Sequence, residues 1–169
     1  MRYLACIRPN GSLVENLMKE PKMVRTDIGL HCTLWGFNTF EYYESELVES
    51  FSKIMADHFS TSIFSGEKFK NFDSELNSYV LLLLKNPEFC GLHAKILNAS
   101  RGFDKEEVLF DRMVRAIGNS KYNPHIALPG IVKSSDIKDN YIGKDINVSS
   151  YELLKKKGTW KHVHTFDLK

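Results

Sequence analysis

Two histidines stand at matching places in two short apolar stretches. One is Gly29-Leu30-His31-Cys32-Thr33-Leu34-Trp35, the other Tyr122-Asn123-Pro124-His125-Ile126-Ala127-Leu128-Pro129-Gly130. Both read as β-strands, whose side chains alternate between faces. Strict alternation puts His31, Thr33 and Trp35 on one face and Leu30, Cys32 and Leu34 on the other. In the second stretch it sets His125 and Ala127 against Ile126 and Leu128. Each strand therefore offers a core one apolar face and presents an imidazole on the opposite side. Two imidazoles on facing strands suit proton transfer near neutral pH: one takes a proton from a nucleophile, the other gives one to a leaving oxygen. A hydroxyl two residues after the first histidine shares its face and can donate to a phosphoryl oxygen. A base, an acid and such donors are what in-line displacement at a cyclic phosphate requires.

The surrounding elements must position these strands. Arg2 to Ile7 reads as a strand ended by Pro9-Asn10-Gly11. Ser12 is placed to cap a short helix with Leu13, Val14, Leu17 and Met18 as its stripe, stopped at Glu20-Pro21. Tyr43 to Phe59 is the clearest helix, with Leu47, Val48, Phe51, Ile54, Met55 and Phe59 at helical spacing. Thr61 to Phe72 reads as one or two short strands turning near Ser65-Gly66. Tyr79 to Leu84 is apolar throughout, as a strand buried on both faces would be. Helices are expected over Pro87 to Ala99 and Lys105 to Ile117. Asp145 to Leu154 and Thr159 to Leu168 form a closing hairpin around Lys157-Gly158. Strands and helices mix without strict βαβ alternation, which indicates an α+β fold with helices outside antiparallel sheet. A histidine motif in each half suggests two similar lobes facing one another within one domain, 1–169.

A chain of 169 residues, 43% hydrophobic and 26% charged, has the composition of an ordinary soluble domain. A net charge of +2 does not by itself argue for nucleic acid. No apolar run is long enough to span a bilayer, and no signal-peptide pattern opens the chain. Cys6, Cys32 and Cys90 lack metal-like spacing and read as free thiols in a reducing compartment, so a cytoplasmic location is expected.

The paired segments His31-Cys32-Thr33-Leu34 and His125-Ile126-Ala127-Leu128 resemble the two H-x-[T/S]-x signatures of the two-histidine (2H) phosphoesterase superfamily. That superfamily includes the LigT-like 2′-5′ RNA ligases and RNA 2′,3′-cyclic phosphodiesterases. The opening strand Arg2–Ile7, the lead-in Tyr122-Asn123-Pro124 and the closing Trp160…Phe166-Asp167-Leu168 also sit where that family has similar segments. The resemblance implies a bilobal α+β fold in which two antiparallel sheets line a central cleft. It implies opening of 2′,3′-cyclic phosphates to 2′-phosphates, or cleavage or joining of 2′-5′ linkages, without metal or other cofactor. It makes His125 the base, His31 the acid and Thr33 the phosphate holder. RNA ends or nucleotides would be the partners, and a monomer is expected. Two positions depart from the pattern. Ala127 stands where Thr or Ser is usual, and Gly130 where many relatives have arginine. A weakened, purely nucleotide-binding descendant is the alternative.

Other residues carry a functional and a plainer reading. Trp35 and Phe37 would stack on a base from the histidine face, or pack between lobes. Tyr3 and Tyr122 are candidates to line the cleft. Lys155, Lys156, Lys157 and Lys161 cluster at the last turn, either solvated or against an RNA backbone. His162 and His164 share a strand face but lack a third metal ligand. His58 and His93 lie at the edges of apolar stripes and read as structural.

Overall fold

The computed structural model describes residues 1–56, 64–73, 78–85, 87–103 and 122–166. The helix expected over Lys105 to Ile117 lies outside them, as does His58. The described elements are β1 (Arg2–Asn10), α1 (Ser12–Leu17), β2 (Cys32–Asn38), a 3-10 turn (Glu41–Tyr43), α2 (Glu44–Ala56), β3 (Phe64–Asp73) and β4 (Ser78–Leu83). They continue with α3 (Pro87–Arg101), β5 (His125–Ala127), a 3-10 turn (Ser134–Asp136), β6 (Asp145–Lys157) and β7 (Thr159–Phe166). The result is an α+β chain whose described strands all pair antiparallel.

The strands form two well-paired groups. In one, β1 lies between β2 and β6, and β7 lies against β6. In the other, β4 lies between β3 and β5. Two narrow seams join them. At the first, β2 meets β5 through the single pair Cys32↔Ile126. At the second, the start of β6 meets β3 through Phe64↔Ile146 and Ser65↔Asp145. Both histidine motifs border the first seam.

One face of β1, β2, β4 and β6 carries the core. Tyr3, Ala5 and Ile7 of β1 join Cys32, Leu34, Leu81, Leu83, Tyr151 and Leu153 there. α2 adds Leu47, Phe51 and Met55, and α3 adds Phe89, Leu92, Ile96 and Leu97. The apolar stripes read from the sequence are these buried faces, and removing them from water is the main term holding the helices on the sheet. On the opposite face of β1, Leu4 and Cys6 form a small cluster with Leu154.

Several boundaries differ from expectation for local reasons. β1 runs on through Pro9, where the register against β6 shifts, a position at which proline is tolerated in sheet. Gly11, at φ +92°, takes the cap position of α1 in place of Ser12. Ser65-Gly66 is no turn. Gly66 lies inside β3 because the Tyr141 carbonyl passes so near that an added Cβ would sit 2.5 Å from its oxygen.

The segment between α1 and β2 straps the end of the second motif. Val24 N–H donates to Pro129 O at 2.8 Å. Lys22 pairs with the buried Asp136 carboxylate at 2.7 Å, which also accepts the Val132 and Lys133 N–H groups. Gly130 is what lets the strap close. Its φ is +86°, and a Cβ there would meet Lys22 O at 2.1 Å. Gly130→Ala is therefore expected to destabilise the fold by about 1–3 kcal/mol, through strain and loss of the docked strap. Urea denaturation checks this, and an unchanged midpoint would contradict the close contact.

Candidate active site

The Cys32↔Ile126 pair sets the geometry. In antiparallel sheet its neighbours follow by alternation: Thr33 faces His125, and His31 faces Ala127. These four side chains point away from the core that takes Cys32 and Ile126, which are 2% and 1% exposed. Directly opposed residues have Cβ atoms about 4.5–5.5 Å apart and diagonal ones about 7–8 Å. His31 and His125 are the diagonal pair, with Thr33 beside the second. The structure thus brings together the three residues that the sequence placed at the centre of the chemistry.

Both imidazoles are held in the same way. His31 Nδ1 lies 2.9 Å from Gly29 O, and His125 Nδ1 lies 2.8 Å from Asn123 O. A carbonyl only accepts, so each Nδ1 carries the proton and each neutral ring keeps its lone pair on Nε2. Tautomer and ring orientation are fixed by the backbone two residues upstream of each histidine. Burial pushes the pKa of His31 below the ordinary histidine value. The bond to Gly29 O opposes this, while the positive charges of Arg8 and His125 reinforce it.

Arg8 and Glu152 belong to the same surface, and the sequence reading missed both. Cys6 pairs with Thr33 on one side and with Glu152 on the other, so β1, β2 and β6 form one row here. Arg8 Nε binds Glu152 Oε2 at 2.6 Å. Its Nη1 donates to the carbonyls of Ile28 and Leu30. Arg8 so secures the backbone that carries Gly29 O, the anchor of His31. The available signal was a second charged residue, after Arg2, on the face that carries Leu4 and Cys6.

Trp35 does not join the histidine face, and the reason is a β-bulge. Ala5 pairs with Trp35 but Cys6 pairs with Thr33, leaving Leu34 as the extra residue. After a bulge the alternation is offset by one. Trp35 and Phe37 turn into the core, 5% and 3% exposed, so the expected base-stacking surface is absent from the site. Tyr3, 0% exposed, is likewise a core residue: it stacks on Phe37 and donates to Glu44 Oε2 at 3.0 Å.

Tyr122 is buried too, but it supports the site from beneath. Its hydroxyl donates to Thr33 O at 2.6 Å, next to the bulge. His93, on α3, takes the neighbouring carbonyl: Nδ1 lies 2.7 Å from Leu34 O. The two rings stack with centroids 3.8 Å apart, and Phe89 stacks on the far side of Tyr122. This pair satisfies the Thr33 and Leu34 carbonyls where the seam offers no strand partner. Burial pushes the pKa of His93 down, and because a carbonyl only accepts, Nδ1 is the nitrogen that donates to Leu34 O. Tyr122→Phe leaves the Thr33 carbonyl without this donor and is expected to cost about 1–3 kcal/mol of stability. An unchanged urea midpoint would show that another group takes over the carbonyl.

Burial pushes the Cys6 and Cys32 thiols up to about 12, away from the thiolate form that reacts. Lys155 is not available to a phosphate backbone, since Glu41 and Glu44 bind it at 3.0 and 2.7 Å. Lys156 lies over the Trp160 ring, while Lys157 and Lys161 are exposed. His162 Nε2 contacts Thr165 Oγ1 at 2.7 Å, and His164 packs edge-on against Phe166. Among the described residues no three metal-ligating side chains cluster, and no helix is long and apolar enough to cross a membrane.

No family model and no curated protein sequence matches the chain. Solved structures do. LigT from E. coli, complexed with 3′-AMP, superposes with a TM-score of 0.63 at 14% identity, covering 99% of this chain and 98% of that one. The same protein is solved with phosphate, NADP+ and ATP. The protein TT0787 of Thermus thermophilus gives 0.61 at 17% identity, covering 99% and 98%. A further structure, described as a phosphoesterase, gives 0.60 at 15%, with the same coverage. Across 99% of its length, the chain shares the fold of LigT and of these two further structures.

Proposed function

We propose that the protein is a metal-independent phosphodiesterase that opens the 2′,3′-cyclic phosphate of a nucleotide or RNA end to a 2′-phosphate. The observation that carries this reading is the seam. One strand pair sets His31, Thr33 and His125 side by side, and each imidazole is held through Nδ1 by a carbonyl two residues upstream. His125 Nε2 takes a proton from water as the water oxygen bonds to phosphorus. The bond from phosphorus to the ribose 3′ oxygen breaks, and His31 Nε2 gives that oxygen a proton. Thr33 donates to a nonbridging oxygen. Burial lowers the His31 pKa, so the protonated ring that the donor part needs is better populated toward acid pH. The nucleotide and phosphate complexes of LigT add support for the ligand class. The protein would act as a monomer in the cytoplasm.

The experiment is incubation in chelator with nucleoside 2′,3′-cyclic phosphates, an RNA ending in a cyclic phosphate, and a 2′-5′-linked dinucleotide. A 2′-phosphate from the cyclic substrates supports the reading. Product only from the dinucleotide would move the activity to 2′-5′ linkages. Binding without product favours the second reading, a nucleotide-binding domain without turnover. That second reading has one observation in its favour, the methyl of Ala127 where a hydroxyl would meet the phosphate.

The pH dependence follows from His31. Turnover needs one ring protonated and the other neutral, a population that is fullest between the two pKa values of the pair. Lowering the His31 pKa moves that window downward. The bell of kcat/KM against pH is expected to peak on the acid side of neutrality, near or below the ordinary histidine value of about 6.5. A peak above about pH 8 would exclude this pair as acid and base.

A further inference from the structure

A cavity of about 270 Å³ opens between the strap and the ends of both histidine motifs. Its lining is Met18, Val24, Arg25, Thr26, Gly29, Leu30 and Pro129. Gly29 and Leu30 immediately precede His31, and Pro129 follows Ala127 by two residues. The cavity therefore opens beside the backbone that carries both imidazoles.

We propose that this cavity holds the nucleobase of the nucleotide whose phosphate lies between His31 and His125. The proposal rests on the nucleotide reading above and adds a base subsite to it. The chemistry of the walls selects a planar heteroaromatic group. Met18, Val24, Leu30 and Pro129 supply apolar contact. The Met18 thioether favours aromatic neighbours, and a guanidinium stacks on or donates to a ring. Arg25 is exposed and forms no ion pair among the described residues, so its donors are not committed to a carboxylate. A phosphate in the same place would be held mostly against apolar walls, which disfavours it. The volume is small for a pocket and suits a single base.

The cavity is preformed. The strap is tied down by Val24 N–H to Pro129 O, by the close approach of Lys22 O to Gly130 and by the Lys22–Asp136 ion pair. Little ordering remains to be done on binding. A polar cavity of about 210 Å³ near Lys19 and Lys138 does not compete. The Glu20 carboxylate beside it is already committed to Lys138 N–H, Asp139 N–H and the Tyr141 hydroxyl.

The test compares wild type with Val24→Trp, which fills the cavity from a residue 54% exposed, and with Arg25→Ala. The calorimetric probes are 2′-AMP, adenosine and inorganic phosphate. The kinetic probes are adenosine 2′,3′-cyclic phosphate and the base-free 1-O-methylribose 2′,3′-cyclic phosphate. Each variant is expected to weaken 2′-AMP by at least about tenfold, as loss of one base contact does. Phosphate binding and turnover of the base-free substrate should stay at the wild-type level. Equal affinity of variants and wild type for 2′-AMP would overturn the subsite. So would wild type binding 2′-AMP no better than phosphate, or binding neither 2′-AMP nor adenosine at millimolar concentration. If wild type turns over neither cyclic substrate yet binds adenosine in a way that Val24→Trp blocks, the subsite stands and the catalytic reading falls. Thermal melts establish that each variant is folded. Arg25→Ala, at an exposed position, decides the matter if Val24→Trp is not.

Discussion

His31→Ala and His125→Ala will each lower the turnover of a nucleoside 2′,3′-cyclic phosphate by about 10²–10⁴, the usual worth of one positioned proton transfer. The fold should survive both changes. The two rings are partly exposed, and the nearby core is built from Cys32, Ile126, Leu34 and Leu128 instead. The double variant is expected to lose little more than the worse single one, because an acid and a base that act in one displacement fail as a unit. Steady-state kinetics on purified protein, with melting curves as the folding control, decides this. Retention of most of the activity by either single variant would break the paired mechanism. Substitution by asparagine adds a second check. The amide can keep a hydrogen bond toward Gly29 O or Asn123 O but cannot exchange a proton near neutral pH, so it should restore binding and not turnover.

Thr33→Val is expected to lower kcat by about 10²–10³, the cost of removing one donor from a developing oxyanion. The swap is nearly isosteric, so the strand and its bulge should be unaffected. The effect is expected to be large because Ala127 leaves the mirror-related position without a hydroxyl. Thr33 then carries alone what two side chains would share. Ala127→Thr supplies the second donor and should raise the rate. A Thr33→Val protein with unchanged kcat would remove Thr33 from the phosphate site. A gain from Ala127→Thr in that same background would assign the contact to the β5 side of the seam.

The placement of the two histidines was legible in the sequence because it is local. His31 and His125 each sit in a short strand whose apolar face is plain, and each is oriented by a carbonyl only two residues away. The helices α2 and α3 and the closing hairpin were legible for the same reason: spacing alone determines which face is buried. What failed depended on register between distant strands. The extra residue Leu34 in β2 reverses the faces of Trp35 and Phe37, and nothing in Leu34-Trp35-Gly36-Phe37 announces a bulge. The part played by Tyr122 depends on a bond to Thr33 across 89 positions. Arg8 meets Glu152 across 144. Lys155 reads as a solvated or RNA-facing lysine in sequence, and only the distant Glu41 and Glu44 beside it engage its charge. Gly130 appeared as the loss of a cation. Its positive φ and its contact with the Lys22 carbonyl give it a packing reason instead.

The most direct test of the central claim is imidazole nitrogen NMR on uniformly ¹⁵N-labelled protein, titrated with inorganic phosphate at fixed pH, with His31→Ala and His125→Ala used to assign the signals. The arrangement predicts that both rings start with the proton on Nδ1 when neutral, and that the Nε2 resonances of His31 and His125 move together along one binding curve. Movement of only one ring, or two curves with different midpoints, would mean that the histidines do not share one phosphate, and the paired acid–base account would be wrong.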